Sequence, residues 1–415
     1  MHAVARLAPF MAMAAGALAE MEYLGVAMSG IDFGCDIAGN CPLNTVALPL
    51  KEYGGGDGKA QMEHFVKDDK LNIFRLPASW QYLVNDKLGG TLDDTNFGNY
   101  DLLMQTCLDT GAYCMIDVHN FARWNGKIIG QGGPPDEDFV DLWVSLAKQY
   151  ADNDKIVFGL MNEPHDLDID IWAQTCQKVV TGIRNAGATS QIILLPGTNF
   201  ASAETFVSTG SAEALANITN PDGSYDGLLM DLHKYLDINN SGTHRECTTN
   251  NVKGFETIAK WLKENNRTAM VSETGASMED TCMTMFCEQN EFIAKHTDVF
   301  IGFVGWSAGS FDDTYILTLT PEGSPGSYTD NKLMQKCILD IFNDPSKAVS
   351  TPTTTKSKTS GAPKTSTGPI FHETTEDTTP SPSPSDSSAS MAMVTTGGCA
   401  VLLLSAISQA WFGII

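Results

Sequence analysis

The sequence predicts an α/β protein built on one (β/α)8 barrel, also called a TIM barrel. Between positions 23 and 343, short runs of β-branched and apolar residues alternate with longer segments of helical periodicity. This alternation predicts a parallel sheet, and eight strands over roughly 320 residues fit a closed barrel better than an open doubly wound sheet. An open sheet usually carries a glycine-rich phosphate-binding motif after its first strand, and no G-x-G-x-x-G occurs there.

Each predicted strand ends where an apolar run gives way to polar residues. The eight strands are expected over residues 23–28, 71–76, 113–118, 156–161, 191–195, 227–232, 268–272 and 300–305. Amphipathic helices are expected between them, for example over 138–150 and 171–185. The three glycines at 54–56 precede a polar segment without a following Lys-Ser/Thr, which predicts a plain turn rather than a phosphate loop.

The two ends of the chain depart from this pattern. Residues 1–19 contain one arginine, an apolar stretch and the small residues Ala17-Leu18-Ala19, which predicts a cleaved secretory signal peptide, with an ordinary N-terminal helix as the alternative. A folded domain is then expected over 20–344. Residues 345–390 are rich in Thr, Ser and Pro and cannot form a core, which predicts a disordered, O-glycosylated stalk.

The last segment, residues 391–415, is uncharged and ends in an apolar run that begins at Cys399. A transmembrane helix and a glycosylphosphatidylinositol (GPI) signal both fit such a tail. The run is shorter than the roughly 20 residues of a membrane span, no Lys or Arg follows it, and small residues at 387–389 precede a short spacer. These features favour a GPI signal and a secreted protein attached to the cell surface or cell wall.

The ten cysteines agree with export, because disulfides persist in oxidising compartments. Cys35 and Cys41, and likewise Cys107 and Cys114, are close enough in sequence for local disulfides, whereas spacing leaves the partners of the others open. Zinc is the competing interpretation. The cysteines form no C-x-x-C pair and no His-x-x-His motif follows, so we expect no metal site.

The formal net charge of −24 argues against nucleic acid or anionic lipid as a partner, because both would be repelled. A neutral substrate is not repelled by this charge. Three Asn-x-Ser/Thr sequons would suit N-glycosylation in the secretory route. Their acceptor residues are Asn217, Asn239 and Asn266.

Two glutamates occupy matching positions 110 residues apart. Glu163 follows one predicted strand in Asn-Glu-Pro, and Glu273 follows another before Thr-Gly. Catalytic groups of a barrel come from the C-terminal ends of its strands, so both carboxylates are expected at one rim. Such a pair can cleave a glycosidic bond, one carboxyl acting as acid/base and the other as nucleophile. For either glutamate alone, a helix-cap neighbour or a surface salt bridge is the alternative.

Other predicted strands are also followed by polar or aromatic side chains. Because scattered buried polar groups are costly, their collection at one rim indicates a pocket. A core-edge ion pair is the alternative for Arg75, and helix capping is the alternative for Asn162. The candidate substrate-binding residues are Arg75, His119, Asn120, Trp124, Asn162, His233, Tyr235 and Trp306.

The ordered set Arg75, His119, Asn162-Glu163-Pro164, His233-x-Tyr235, Glu273 and Trp306 resembles glycoside hydrolase family 5. Longer segments over 117–126, 131–133, 232–237, 241–247 and 305–311 are similar to the secreted fungal-type endo-β-1,4-glucanases, or cellulases, of that family. The resemblance covers residues 21–343 and excludes the stalk and tail. It implies a barrel that hydrolyses β-1,4-glucosidic bonds within cellulose or β-glucan chains, with retention and without a cofactor.

The resemblance also implies roles for individual residues. Glu163 is expected to be the acid/base and Glu273 the nucleophile of a double displacement. Arg75 is expected to hold Glu273 ionised, Asn162 to bind the sugar 2-hydroxyl, and Tyr235 to donate a hydrogen bond to Glu273.

The histidines His119 and His233 are expected to contact sugar or carboxylate. Pyranose rings pack their C–H faces on indoles, so Trp306 is expected beneath the sugar, with Trp124 and Trp80 as further platforms. Three other tryptophans fall in helical patterns and are expected in the core. They are Trp143, Trp172 and Trp261.

For the cysteines, the resemblance implies four disulfides and a free Cys176. The implied pairs are Cys35–Cys41, Cys107–Cys114, Cys247–Cys282 and Cys287–Cys337. A compact cellulose-binding module is not evident at either end, so attack on crystalline cellulose is expected to be weak.

Two alternatives to a cellulase stay open at this point. The same mechanism could serve mannan, xyloglucan or β-1,3-glucan. A non-catalytic glucan-binding surface protein is the second alternative, although a binding protein would need neither Glu163 nor Glu273. In every case we expect a monomer with a polysaccharide ligand and no nucleic acid partner.

Overall fold

The predicted strands form and pair with one another in a closed parallel barrel. In the computed structural model, which describes residues 20–343, the first and last barrel strands pair to close the ring, and the other barrel strands neighbour one another in chain order. The predicted (β/α)8 fold is therefore confirmed. The barrel strands are β1 (Tyr23–Ser29), β2 (Ile73–Ala78), β3 (Tyr113–Val118), β6 (Ile156–Gly159), β7 (Ile192–Pro196), β8 (Leu228–His233), β9 (Ala269–Thr274) and β10 (Phe300–Gly309).

Helices follow the strands and cover the outside of the barrel. Helix α4 illustrates why they form: its residues Phe139, Leu142 and Leu146 share one face and are buried, and three acidic residues in its first turn suit the helix dipole. The helices are α1 (Gly58–Lys67), α2 (Trp80–Val84), α3 (Asp94–Asp109), α4 (Asp136–Tyr150), α5 (Ile169–Asn185), α6 (Ser211–Ala216), α7 (Val252–Glu264), α8 (Asp280–Ala294) and α9 (Asp340–Phe342), the last preceded by a π-helical segment, Met334–Leu339.

The core lies on both sides of the barrel wall, because successive strand residues face opposite sides. On β3, for example, Met115 belongs to the cluster inside the barrel, whereas Cys114 and Ile116 pack between strand and helices. Asp117 continues the inward alternation at the C-terminal end of the same strand. The inner surface thus changes from apolar to charged at the end of the barrel where the strands finish.

Four disulfides link the described residues, and they are the four pairs that the resemblance implied. Cys176 is free and buried. The sequence separations of the bridged pairs run from 6 to 50 residues. The bridges are Cys35–Cys41, Cys107–Cys114, Cys247–Cys282 and Cys287–Cys337.

Several local features differ from the sequence-based expectations. Strand β10 continues to Gly309, four residues beyond the predicted end, and a small hairpin of β4 (Arg123–Trp124) and β5 (Lys127–Ile128) follows β3. Trp80 is fully buried and its indole donates to the Gly89 carbonyl, so the expectation of a sugar platform at Trp80 was wrong.

The predicted signal peptide over 1–19, the stalk over 345–390 and the tail over 391–415 lie outside the described residues. Between residues 20 and 343, no helix is both long enough and apolar enough to cross a membrane.

Candidate active site

The two glutamates meet in one pocket at the carboxyl ends of the barrel strands. Glu163 follows β6 and Glu273 lies in β9, and a carboxylate oxygen of each lies within 4.8 Å of the other. His119, Asn162, Tyr235 and Trp306 line the same pocket, together with Tyr315, Leu317 and the loop 241–243. Most of the predicted residues therefore converge at one place.

Glu273 is held ionised by its neighbours. Arg75 forms an ion pair with Glu273 Oε2, and the Tyr235 hydroxyl donates to Glu273 Oε1 at 2.8 Å. Burial alone would raise the pKa of Glu273, but the positive charges of Arg75 and His233 outweigh burial and lower it below the usual glutamate value. The result is a deprotonated carboxylate with a fixed orientation.

Arg75 is itself held in place by several partners. Its Nη2 donates to Asn162 Oδ1 at 2.7 Å and lies 2.9 Å from Asp117 Oδ2. Although burial opposes its charge, the carboxylates of Asp117 and Glu273 raise the pKa of the Arg75 guanidinium above its ordinary value. Arg75 is therefore a permanent cation between an inner-barrel aspartate and the Glu273 carboxylate.

Glu163 lies in a different environment, and its protonated form is favoured. Burial and the negative charge of Glu273 raise the pKa of Glu163, against the opposing effect of a hydrogen bond from His233. His233 Nδ1 lies 3.0 Å from Glu163 Oε1 and 3.8 Å from Glu273 Oε2. The backbone of Glu163 has a φ of 43°, in the left-handed region that only a small share of non-glycine residues adopt.

The two histidines beside the glutamates are each oriented by an aspartate. His119 Nδ1 donates to Asp117 Oδ2 at 2.9 Å, while His233 Nε2 lies 3.0 Å from Ser272 Oγ, which in turn bonds Asp231. Burial lowers the pKa of His233, but the Glu273 and Glu163 carboxylates raise it to about 8. The pKa of His119 is likewise raised, because the effect of Asp117 exceeds that of burial.

Trp306 lines the pocket with only 4% of its surface exposed. His119 stacks on the Trp306 indole with ring centroids 5.5 Å apart, and Trp306 Nε1 donates to the Tyr315 hydroxyl at 2.9 Å. Its fixed indole face can therefore serve as the floor for a flat apolar surface such as that of a sugar ring.

Asn162 has a donor that no described residue accepts. Its Oδ1 accepts from Arg75, but its buried Nδ2 has no hydrogen-bond partner among residues 20–343. An unsatisfied buried amide is costly. Because Asn162 lines the pocket, this N–H is available to an oxygen of a bound ligand.

Asn120 is placed elsewhere, contrary to the sequence-based assignment to substrate binding. It is fully buried, its Oδ1 accepts from the Trp80 amide at 2.6 Å, and its Nδ2 donates to Gln81 Oε1 at 2.6 Å. Its polar atoms are thus occupied in fixing the start of helix α2. Trp124 is partly buried in the β4–β5 hairpin, packs against Trp80 and is not among the residues lining the pocket.

Sequence reasoning missed the aspartates that lie beneath the site and the tyrosine beside Trp306. Asp117 and Asp231 alternate with apolar residues on β3 and β8, and this inward spacing was a usable signal. Tyr315 lies in a loop after β10 and offered none.

The carboxylates of the pocket are poorly suited to a metal. Glu163, His233 and Glu273 bring potential ligand atoms within 4.8 Å of one another. Both oxygens of Glu273, however, already accept from Arg75 and Tyr235. A cation bound there would also be repelled by the Arg75 guanidinium.

Comparison with known proteins gives consistent matches. The sequence matches the family described as cellulase (glycosyl hydrolase family 5) over residues 36–312. It is 54% identical over 323 residues to endoglucanase EG-II of Hypocrea jecorina, covering 77% of each chain, and 47% identical over 316 residues to endoglucanase 1 of Saitozyma flava, covering 76% of this chain and 88% of that one. The crystal structure of Cel5A (EG2) from Hypocrea jecorina superposes with a TM-score of 0.76 at 53% identity, covering 77% of this chain and 99% of that chain.

Proposed function

The chain belongs to the cellulase family, glycosyl hydrolase family 5, and from this membership we propose that it is an endo-β-1,4-glucanase. It cleaves bonds within cellulose or β-glucan chains and retains the anomeric configuration. The observation that carries the proposal is the single pocket in which Glu163 and Glu273 have pKa values displaced in opposite directions. The endoglucanase names of its relatives support the substrate class.

In the first step, the Glu273 carboxylate attacks the anomeric carbon while Glu163 gives its proton to the glycosidic oxygen. The bond between that carbon and oxygen breaks, and a glycosyl ester on Glu273 forms. In the second step, Glu163, now a carboxylate, takes a proton from water as the water oxygen attacks the same carbon. Glu273 leaves as a carboxylate and Glu163 is protonated again.

The spacing of the two carboxylates supports retention. Retaining enzymes keep their carboxyl groups about 5–5.5 Å apart, whereas inverting enzymes need roughly 6.5–9.5 Å to admit a water molecule. Oxygens of Glu163 and Glu273 within 4.8 Å of each other match the shorter spacing.

We assign the remaining pocket residues to binding and positioning. The free Asn162 Nδ2 donates to the sugar 2-hydroxyl, and Trp306 supports the ring at the cleavage point. Arg75 and Tyr235 orient Glu273, while His233 positions Glu163. His119 supports Trp306 by stacking, and Trp124 remains a more distant candidate platform.

The test uses the purified full chain on carboxymethyl-cellulose, mixed-linkage β-glucan, glucomannan and laminarin. A rapid fall in viscosity of the first two is expected, and proton NMR of early products should show the β-anomer. Activity on glucomannan or laminarin alone would move the substrate assignment while keeping the mechanism.

The nucleophile variant provides the decisive comparison. Glu273→Gln keeps the size of the side chain but removes the attacking charge, so turnover should fall by at least about 10⁴-fold, or roughly 5.4 kcal/mol of activation free energy, while substrate binding persists. Near-normal hydrolysis by Glu273→Gln would contradict the mechanism. Binding without any hydrolysis by the wild type would favour the glucan-binding alternative.

We further propose that the chain is exported and attached to the cell surface by a GPI anchor as a monomer. Its four disulfides, and the exposed positions of Asn217, Asn239 and Asn266, support passage through the secretory route. Release of activity from intact cells by a phosphatidylinositol-specific phospholipase, together with a mass shift on N-glycan removal, is the expected result. Retention after phospholipase treatment would favour a transmembrane tail.

A further inference from the structure

A second group of metal-ligand side chains lies apart from the glutamates. His64 on helix α1, Asp69 before β2 and Asp330 after β10 each bring one donor atom to within 4.8 Å of the others. His64 Nε2 lies 3.1 Å from Asp330 Oδ1 and 3.4 Å from Asp69 Oδ2, and the three side chains are 7–8% exposed. Asp69 precedes a barrel strand, whereas the glutamates occupy the carboxyl ends of strands, so the two groups are distinct.

Among residues 20–343, the only group within ion-pair distance of Asp69 and Asp330 that can carry a positive charge is the His64 imidazole. Its Nδ1 lies 2.9 Å from Asp68 Oδ2 and donates there, while Nε2 faces the carboxylates of Asp69 and Asp330. A cation bound between Nε2 and these carboxylates would take the place of the Nε2 proton, because the neutral ring keeps a lone pair on that nitrogen. Asp69 Oδ2 is buried and has no hydrogen-bond partner among residues 20–343, and no Lys or Arg of that range lies within ion-pair distance of Asp69 or Asp330.

Two of the three distances between potential ligand atoms match what a bound cation requires. Nitrogen and oxygen ligands lie about 2.0–2.2 Å from Zn²⁺ or a similar ion, so two ligands on adjacent corners of its coordination shell are roughly 2.9–3.5 Å apart. The distances of 3.1 and 3.4 Å from His64 Nε2 fall in that interval. One imidazole and two carboxylates are ligands that suit Mn²⁺ or Zn²⁺.

We propose that His64, Asp69 and Asp330 bind one divalent cation of the Mn²⁺ and Zn²⁺ class, with Asp68 holding His64 in the tautomer that presents Nε2. A carboxylate on the far nitrogen is the usual partner of a metal-binding histidine. Local motifs could not reveal this site, because His64 and Asp330 are 266 positions apart.

The bound cation would crosslink two segments of the folded domain that are far apart in sequence. The Tyr328 ring already packs 5.6 Å from the His64 ring, and Asn343 Nδ2 donates to the Asp69 carbonyl at 3.0 Å. A cation shared by Asp69 and Asp330 adds a crosslink between the α1–β2 segment and the C-terminal segment. Its role is therefore stabilisation of the fold, separate from hydrolysis.

The experiment starts from the full chain treated with a chelator and then dialysed against micromolar Mn²⁺ or Zn²⁺. Mass spectrometry of the metal content should give one equivalent for the wild type and also for Glu273→Gln, because the pocket glutamates are not involved. Asp69→Asn and Asp330→Asn should each weaken binding at least tenfold, and Asp68→Asn by about 10–100-fold. The metal should raise the melting temperature of the wild type and not of Asp69→Asn.

Asp166→Asn is the matched control. Asp166 also bonds a histidine, with His165 Nδ1 2.8 Å from Asp166 Oδ2, but neither of these residues belongs to a group of potential metal ligands. Its metal binding should equal that of the wild type. Retained hydrolysis of soluble β-glucan shows that each cluster variant is folded. The proposal is overturned if the wild type binds neither ion stoichiometrically, if both Asp69→Asn and Asp330→Asn keep full affinity, or if Glu273→Gln loses the metal.

Discussion

Glu163 and Glu273 are identical side chains that their neighbours drive to opposite protonation states. Loss of contact with solvent raises the pKa of each, but only Glu273 accepts hydrogen bonds from a guanidinium and a phenol. The ionised Glu273 then adds its negative charge to the surroundings of Glu163. One asymmetric contact, the ion pair of Arg75 with Glu273, thus distributes the two roles.

This asymmetry predicts a bell-shaped pH profile of kcat/KM. Activity should fall on the acid side as Glu273 becomes protonated, below the usual glutamate value, and on the alkaline side as Glu163 ionises, above that value. Tyr235→Phe removes the donor to Glu273 Oε1, so the acid limb should move to higher pH. Initial rates on neutral mixed-linkage β-glucan would measure both limbs.

Tyr315→Phe is the control, because its hydroxyl bonds Trp306 rather than Glu273. Its acid limb should stay where the wild-type limb lies. An acid limb that does not move in Tyr235→Phe would contradict the assigned hydrogen bond.

The unpartnered amide of Asn162 allows a second prediction. If Asn162 Nδ2 binds the sugar 2-hydroxyl chiefly in the transition state, Asn162→Ala should lower kcat by roughly 100-fold, or about 2.7 kcal/mol, with little change in KM. Aryl β-cellobioside should be compared with its analogue lacking the 2-hydroxyl on the ring at the cleavage point. The wild type should discriminate strongly, and Asn162→Ala should hydrolyse the two at similar rates; persistent discrimination would place the 2-hydroxyl elsewhere.

At the scale of elements, the strand pattern explains why the barrel could be predicted from sequence and why the placement of some side chains could not. The apolar runs identified the barrel strands because each run fills one strand. The neighbours His119 and Asn120 follow β3 together, yet one lines the pocket and the other bonds Trp80 and Gln81. Sequence order gives no information on such a divergence, because it depends on contacts with residues about 40 positions away.

The disulfides lead to a prediction at the same scale. In the chain-entropy account, a crosslink stabilises more when it closes a longer loop. Cys287–Cys337 spans 50 residues and joins α8 to the π-helical segment, whereas Cys35–Cys41 spans 6. Replacing both cysteines of the longer bridge by serine should lower the free energy of unfolding by about 4 kcal/mol, against about 2 kcal/mol for the shorter.

Denaturant unfolding of the two double-serine variants measures this difference. The unfolding slope should be checked in both, because a changed slope would signal a loss of two-state behaviour. Equal losses for the two bridges would contradict the loop-length argument and point to packing in the native state instead.

At the scale of the molecule, the charge distribution is the dominant feature. The formal net charge is −24, yet the glutamates are surrounded by the buried Arg75 guanidinium and by two buried histidines whose pKa values are raised. The overall charge in the sequence indicated a neutral substrate, but it could not show how positive and negative charges are balanced around the two glutamates. The negative side of this charge balance includes Asp117 and Asp231, whose inward positions depend on the closed barrel.

This balance also sets the pH dependence of stability. The folded-state pKa of His233 is about 8, against 6.5 for the unfolded chain, so its stabilisation is complete below 6.5 and is lost as the pH rises through 8. The loss amounts to about 2 kcal/mol. Asp117 and Glu273 have lowered pKa values, so their contributions are present above the ordinary carboxyl pKa and disappear in stronger acid.

The free energy of unfolding should therefore be highest in mildly acidic solution and should decline between pH 6.5 and 8.5. Denaturant titrations at half-unit intervals would measure it. His233→Asn should reduce this decline by about 2 kcal/mol, the part that His233 contributes, whereas His244→Asn, at a half-exposed loop histidine, should preserve it. If the free energy of unfolding of the wild type rises across this interval, the carboxylates around His233 do not hold it protonated. That result would contradict the assignment of His233 as the charged neighbour of both glutamates.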